Sequence, residues 1–291
     1  MTERDLALLK ALARYRYMRT SQIKRLIFAK NKTLQPTRRR LRHLHNAGYV
    51  DHLESLISSS TPNPEQAHYL LRKGIEAITA ENEELPNYAH SKQVKHAFLS
   101  HALDVSEWRL ITELATQSHA LLRLQRFIAD HELKSNLQKL NGQHRYRLFH
   151  QVKHPIGPDL YTVYPDALMI LSGRGDHSDK KRLYLVEIDR ATEGLRVIRN
   201  KVIGYHLFRK AKLHAKWGVP EDFRVLIQTT SQRRAQNICE DLVETSGSDL
   251  VWVTHHAAVN VKTLLAEPIW KDVHGKPQSL LRQNSQDKSV S

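Results

Sequence analysis

Asp166 and Glu187 have the types and the order needed to handle a metal ion and a phosphodiester. Asp166 stands in "YPDALMIL", near the start of an apolar run. Glu187 lies near the end of a second run, "RLYLVEIDR", with Asp189 two positions on. Alternate residues of a strand share a face, so Glu187 and Asp189 are expected together. Acids on so apolar a strand cost free energy unless something compensates them. Carboxylates on paired strands can hold Mg²⁺ or Mn²⁺, hard cations that take oxygen ligands. Asp166 and Glu187 are the candidate metal ligands. Asp189 lies beside them, and a lysine nearby could orient or activate a water. Together these are the parts of metal-assisted phosphodiester hydrolysis. The same residues also have a reading without chemistry. Glu187 could pair with Lys201, Asp189 could cap the next helix or pair with Arg190 or Arg199, and Asp166 could be a turn residue. Enzyme and non-enzyme readings both stay open.

The elements that must carry these residues alternate. "VKHAFLSHALDVSEWRLITELATQS" has a helical stripe that includes Phe98, Val105, Trp108 and Ile111. "ALLRLQRFIAD", "HRYRLFHQVK", "LYTVYPDALMILS" and "RLYLVEIDR" read as strands. A helix over "EGLRVIRNKVIGYHLFRKAKLH" follows, then a strand "FRVLIQTT", a helix capped by Ser231 and a strand "DLVWVTH". A meander followed by strand–helix–strand argues for a mixed sheet flanked by helices, an α/β (α+β) domain over residues 93–270. Residues 271–291 are polar and read as a loose tail. His96 and His101 are five apart, a poor spacing for shared ligation on a helix, and no histidine metal site is expected.

The first 92 residues read differently. The chain has 291 residues and a formal charge of +15. Residues 1–50 hold 13 Lys/Arg against two acids, a net +11, and this clustering points to a polyanionic partner. "TERDLALLKALARYR" and "TSQIKRLIF" have helical periods, with Thr20 and Ser21 as expected caps. "QPTRRRLRHLHNAGYV" is a third helix, started by Pro36 and ended by Gly48. At 100° per residue, Leu41, Leu44 and His45 fall on one side. Arg39, Arg42, His43 and Asn46 fall on the other, with Arg38 at the flank. Arginine reads guanine and grips phosphate, and asparagine can pair with adenine. The candidate DNA-binding set is Lys32, Thr37, Arg38, Arg39, Arg42, His43 and Asn46. "YVDHLESLI" and "AHYLLRKG" would form a wing, making a winged helix-turn-helix. "ENEELPNYAHSKQ" reads as a linker ending near residue 92. Cys239 is the single cysteine, so disulfides within the chain are excluded. No apolar run approaches the length of a membrane helix and no signal peptide is evident, so a cytoplasmic protein is expected.

Pro165-Asp166 on one strand and Glu187-Ile188-Asp189 on the next resemble the PD-(D/E)XK nuclease superfamily. Asp189 stands where that pattern has lysine. Some members carry the lysine on the following helix, which suits Lys201. The resemblance also implies an upstream acid, with Glu132 the first choice and Glu107 the second. The chain as a whole resembles the replication-relaxation family of plasmid and mobile-element proteins. The features that carry this are "RLRHLHNAGYV", "YLLRKG", "PDA" and the run Glu187, Asp189, Thr192, Glu193, Lys201 and Tyr205. The resemblance implies a DNA-binding accessory protein of plasmid replication or conjugative mobilisation. It would act on double-stranded DNA at an origin with a relaxase or replication initiator as partner. The alternative is a Mg²⁺- or Mn²⁺-dependent nuclease or nickase. An oligomer stays open, since no heptad marks one.

Overall fold

A computed structural model describes residues 1–55, 65–79, 94–134, 138–140, 143–145, 150–154, 159–219 and 221–281. The chain divides into two compact units, residues 1–110 with 129–147, and residues 111–128 with 148–291.

In the first unit α1 (Glu3–Tyr15) starts at a reciprocal cap. The Thr2 backbone N–H donates to the Asp5 carboxylate (2.6 Å), and the Asp5 N–H donates to Thr2 Oγ1 (3.3 Å). This satisfies donors that a helix start leaves orphaned. Leu8, Leu9 and Leu12 bury one stripe of α1. β1 (Met18–Arg19), α2 (Thr20–Ile27) and α3 (Gln35–Asn46) follow. α2 is not capped by Thr20 or Ser21 as expected: the Arg19 N–H donates to Gln22 Oε1 (2.8 Å), and Ser21 donates through its hydroxyl to Glu65 (2.7 Å). β2 (Val50–Ser55) and β3 (Glu65–Leu70) form an antiparallel hairpin, and β1 pairs with β3 to give the order β1-β3-β2. α4 (Arg72–Thr79) follows.

The boundary differs from the expected one. The residues read as a linker lie mostly outside the described set, and the first unit continues into α5 (His96–Gln117) as far as Leu110. The cause is packing: Leu99, Ala102 and Leu103 of α5 bury against Tyr17, Ala67 and Tyr69. Beyond β4 (Leu122–Ala129), this unit also takes in α6 (Asp130–Lys134) and the pair β5 (Gln138–Leu140) and β6 (Gln143–Arg145).

The second unit is built on a seven-stranded mixed sheet, and the fold as a whole is α+β. A small antiparallel pair, β7 (His150–Lys153) and β8 (Leu160–Val163), precedes β9 (Ala167–Gly173). "LYTVYPDALMILS" is therefore two strands and not one. Pro165 has no N–H to give a ladder, and the break falls at Tyr164–Asp166. β9 runs antiparallel to β10 (Lys181–Ile188). α7 (Leu195–Lys210) crosses over to β11 (Phe223–Thr229), parallel to β10. α8 (Gln232–Leu242) crosses to β12 (Val251–His255), parallel to β11. Ser231 caps α8 as expected, accepting from the Arg234 N–H (3.2 Å). Every residue of β9 is buried, as are the last six of β10, which suits strands covered on both faces. α7 lies so close to β8 that a Cβ at Gly204 would stand 3.4 Å from the Thr162 carbonyl oxygen and from Tyr161 Cβ.

The expected loose tail is corrected over its first part. β13 (Trp270–Lys271) pairs with β12, and β14 (Pro277–Gln278) pairs with β13. Trp270 is fully buried, and Tyr184 Oη donates to the Leu280 carbonyl (3.3 Å). A large apolar side chain and a strand register hold this stretch, although its composition is polar. The remainder, residues 282–291, lies outside the described residues.

Candidate functional site

Asp166, Glu187 and Lys201 are brought together in the second unit. Pairing of β9 with β10 sets Ala167 opposite Val186, so Asp166 lies just beyond the start of β9. There Asp166 Oδ2 accepts the Ile188 backbone N–H (2.7 Å). Glu187 lies two positions further along β10 than Leu185 and is 5% exposed. Lys201 and Tyr205 are four apart on α7 and so share a helix face. Lys201 Nζ is 3.2 Å from Glu187 Oε2, and Tyr205 Oη donates to Glu187 Oε1. Lys201 also reaches Glu193 (3.3 Å). Tyr205 was legible only as part of the family run; its i+4 spacing from Lys201 was the signal for its role here.

Burial pushes the Glu187 carboxyl up to about 7, helped by the nearby Asp166 charge and opposed by Lys201 and Tyr205. The Lys201 ammonium is raised above its usual range, first by Glu187 and then, against desolvation, by Asp166 and Glu193. Glu187 is out of water while the Lys201 side chain is 37% exposed, so the carboxyl stays raised beside its cation. Tyr205 is likewise raised, first by burial and then by Glu187. A cleft of about 630 Å³ opens beside this cluster, lined by Tyr161, Tyr164, Asp166, Glu193, Arg196 and Lys201 among others. Its lining offers three carboxylates (Asp159, Asp166 and Glu193), two cations (Arg196 and Lys201) and phenol groups to a polar ligand.

Asp189 is not part of that cluster. Its carboxylate accepts from Thr229 Oγ1 (2.6 Å) and Arg234 Nε (3.0 Å), and the Arg234 guanidinium also reaches the Glu193 carbonyl (2.7 Å). β10 ends at Ile188, and the Asp189 carboxylate is held by Thr229 of β11 and Arg234 of α8 rather than by the Glu187 cluster. Its partner is neither Arg190 nor Arg199; Arg199 pairs with Asp241. Glu132 lies in the first unit, where it accepts from Arg109 (2.6 Å) and from the Ala129 N–H at the start of α6 (3.1 Å). Glu107, the second choice, pairs there with Arg25. Both acids have structural partners within the first unit.

The first unit presents the basic helix. Lys32, Arg38, Arg39, Arg42, His43 and Asn46 are all exposed. Thr37 is a correction: it is 0% exposed and cannot reach a ligand. It falls one turn before Leu41 on the same buried stripe. His45 is exposed, not tucked in with Leu44. Arg40 turns back to form a two-pronged pair with Asp5. Burial alone would raise the Asp5 carboxyl, but hydrogen bonds from Arg40 and Thr2 hold it down to about 2. Among the described residues no ion pair involves Arg38, Arg39 or Arg42. A cleft of about 820 Å³ runs beside them, lined by Arg4, Phe28, Arg39, Arg40 and His43 among others.

A model of the replication-relaxation family matches residues 9–219. The chain belongs to that family. The match takes in the basic helix, Asp166, Glu187, Lys201 and Tyr205, and stops short of β11, α8 and β12. Membership ties the chain to replication or mobilisation of DNA. No curated protein and no solved structure matches it. Among the described residues no helix is long and apolar enough to cross a membrane.

Proposed function

We propose that this replication-relaxation protein is a DNA-binding accessory factor of plasmid or mobile-element replication or mobilisation, acting at an origin. The observation that carries this is the exposed face of α3. Arg38, Arg39, Arg42, His43 and Asn46 share it, and no acid pairs with those arginines among the described residues. The element order α1, β1, α2, α3, β2, β3 is that of a winged helix-turn-helix, in which α3 would enter the major groove and the hairpin would act as the wing. The partner would be double-stranded origin DNA, with a relaxase or replication initiator recruited beside it. A gel shift with origin DNA tests this: binding should be site-specific and fall steeply as salt rises, because phosphate contacts release counterions. Equal affinity for unrelated DNA at every salt concentration would sink it.

A second reading is favoured by the meeting of Asp166, Glu187 and Lys201 beside a cleft. The order β4, β9, β10, α7, β11 after α5 supports a PD-(D/E)XK nuclease-like core with its lysine shifted to α7. The donor set fits a hard cation: Asp166 and Glu187 offer oxygens, and Glu187 would exchange its Lys201 contact for it. Mg²⁺ or Mn²⁺ held there would supply an activated water and neutralise phosphate charge. Lys201 would hold the attacked phosphate or the water, and Tyr205 would fix the Glu187 carboxylate. Asp189 would act only by holding the 189–194 turn through Arg234. Incubating supercoiled origin plasmid with Mg²⁺ or Mn²⁺ tests this. Nicking by wild type and not by Asp166→Ala supports an enzyme; no nicking by either, with the gel shift kept, leaves the binding protein alone.

A further inference from the structure

Beside the basic face and away from the acid cluster, the end of α3 meets the start of β2 in a cluster of three potential ligands. His45 Nδ1 is 3.4 Å from Asp51 Oδ1, and His52 Nδ1 is 3.8 Å from the same oxygen. One ligand atom from each residue lies within 4.8 Å of the others. In a tetrahedral zinc site the bonds are about 2.0–2.2 Å, which sets ligand atoms about 3.4 Å apart. The cluster is therefore within a small side-chain adjustment of that geometry. We propose that His45, Asp51 and His52 form a Zn²⁺ site that clamps the last turn of α3 to the first strand of the hairpin.

The donor chemistry selects the ion. Two imidazole nitrogens and one carboxylate oxygen suit a borderline-soft cation such as Zn²⁺, and not Mg²⁺ or Ca²⁺. Three protein ligands leave the fourth position to water. The three side chains are 43%, 28% and 32% exposed, so an ion has a way in. The surroundings supply the outer hydrogen bonds that metal carboxylates use. Tyr69 Oη donates to Asp51 Oδ2 (3.2 Å), which holds the carboxylate with Oδ1 turned to the histidines. His45 Nδ1 is also 3.3 Å from the Val50 carbonyl, a neighbour it would exchange for the metal. Behind the cluster, His68 bonds Thr20 Oγ1 (3.0 Å) and is buried. The charged groups facing the cluster are Arg38 and Arg42, which share its small cavity of about 210 Å³. They weaken the attraction for a cation, so the inner ligands must supply the affinity.

The site would fix the angle between α3 and the hairpin. Its existence does not depend on what DNA, if any, the unit reads. The test is zinc binding by the full chain without a polyhistidine tag. The protein is stripped with chelator and titrated with Zn²⁺ against a chromogenic competitor. The visible band of tetrahedral Co²⁺ serves as a second readout. Wild type should bind one ion tightly and melt at a higher temperature with it. His52→Ala and Asp51→Asn should lose both the ion and the Co²⁺ band while keeping the metal-free melting curve. Tyr69→Phe should weaken binding by about 10–100-fold, the cost of removing an outer hydrogen bond. Asp166→Ala should bind zinc like wild type, which separates this site from the carboxylates of the second unit. Equal binding by wild type, His52→Ala and Asp51→Asn, or no binding by wild type at micromolar zinc, overturns the proposal.

Discussion

On α3, Arg38, Arg39, Arg42 and His43 stand in water without an ion pair among the described residues. At the end of β10, Glu187 is out of water and both of its oxygens are bonded, one to Tyr205 and one to Lys201. The first arrangement is cheap for each charge, because water screens it, but a row of like charges waits for counter-charge from outside. The second is enclosed, and Lys201 and Tyr205 offset the desolvation of its carboxyl only in part. A surface of the first kind binds a polyanion as it stands. A cluster of the second kind must open a bond before it takes a ligand. That difference is why DNA binding is the main reading and metal chemistry the second.

The largest effect is expected on the exposed face. Arg39→Ala with Arg42→Ala should weaken binding of origin DNA by about 100-fold, at about 1–3 kcal/mol per arginine that reads a base. For each phosphate that the variant no longer neutralises, the slope of log affinity against log salt should fall by about 0.9. Gel shifts over a salt series measure both, and an unchanged slope would move the interface elsewhere. Lys201→Ala should leave the gel shift intact; a large loss would erase the contrast between the two regions.

The next effect tests the buried cluster. Glu187 is held up to about 7 in the fold against an ordinary value of 4.5. A raised acid favours folding below its unfolded value and loses that advantage as pH rises through the folded one. Glu187→Gln does not titrate, so its stability relative to wild type should climb between pH 4.5 and about 7, by up to roughly 3 kcal/mol. Urea unfolding across that range checks this, and a flat difference would mean the carboxylate is already ionised at no cost.

How far these sites are legible in the sequence varies with what decides each one. The outward arginines follow from a helical period, a local property. The same arithmetic puts Thr37 on the buried stripe with Leu41 and Leu44, so its place in the core was within reach of the period alone. The meeting of Asp166 with Glu187 follows from adjacent strands, and that of Lys201 from a single crossover. Asp189 departs from expectation because Thr229 and Arg234, 40 and 45 residues further along the chain, hold its carboxylate, and nothing local to residue 189 announces them. The domain boundary departs for a related reason: Leu99 and Leu103 belong with Tyr17 and Tyr69, and no local feature of residues 80–110 announces such distant partners. Histidines 45 and 52 give no signal in the sequence because their proximity depends on how α3 turns into β2.

Two smaller effects sharpen the picture of the basic unit. Asp5 holds Arg40 and is depressed from 3.8 to about 2. Its contribution is whole above pH 3.8 and is lost as pH falls through about 2. Asp5→Asn should therefore cost about 1–3 kcal/mol near neutrality, the scale of charged hydrogen bonds, with the gap to wild type closing in acid. Thermal melts over a pH series measure it. Thr37 Oγ1 is buried with no hydrogen-bond partner among the described residues. Thr37→Val removes that unsatisfied oxygen and should be neutral or stabilising by about 1 kcal/mol, with DNA affinity unchanged. A loss of affinity there would return Thr37 to the interface.

The pairing of β13 and β14 onto β12 bears on how the protein is made. These are the last strands of the sheet to leave the ribosome. Until Trp270 and its neighbours emerge, β12 presents an open row of N–H and C=O groups beside an unfilled apolar socket. An exposed edge of that kind recruits other chains. Pro277, in the outermost strand, has no N–H to offer and blunts the finished edge. A chain stopped before Trp270 would keep its basic α3 face and its acid cluster in sequence, yet it would be expected to aggregate before either could be used.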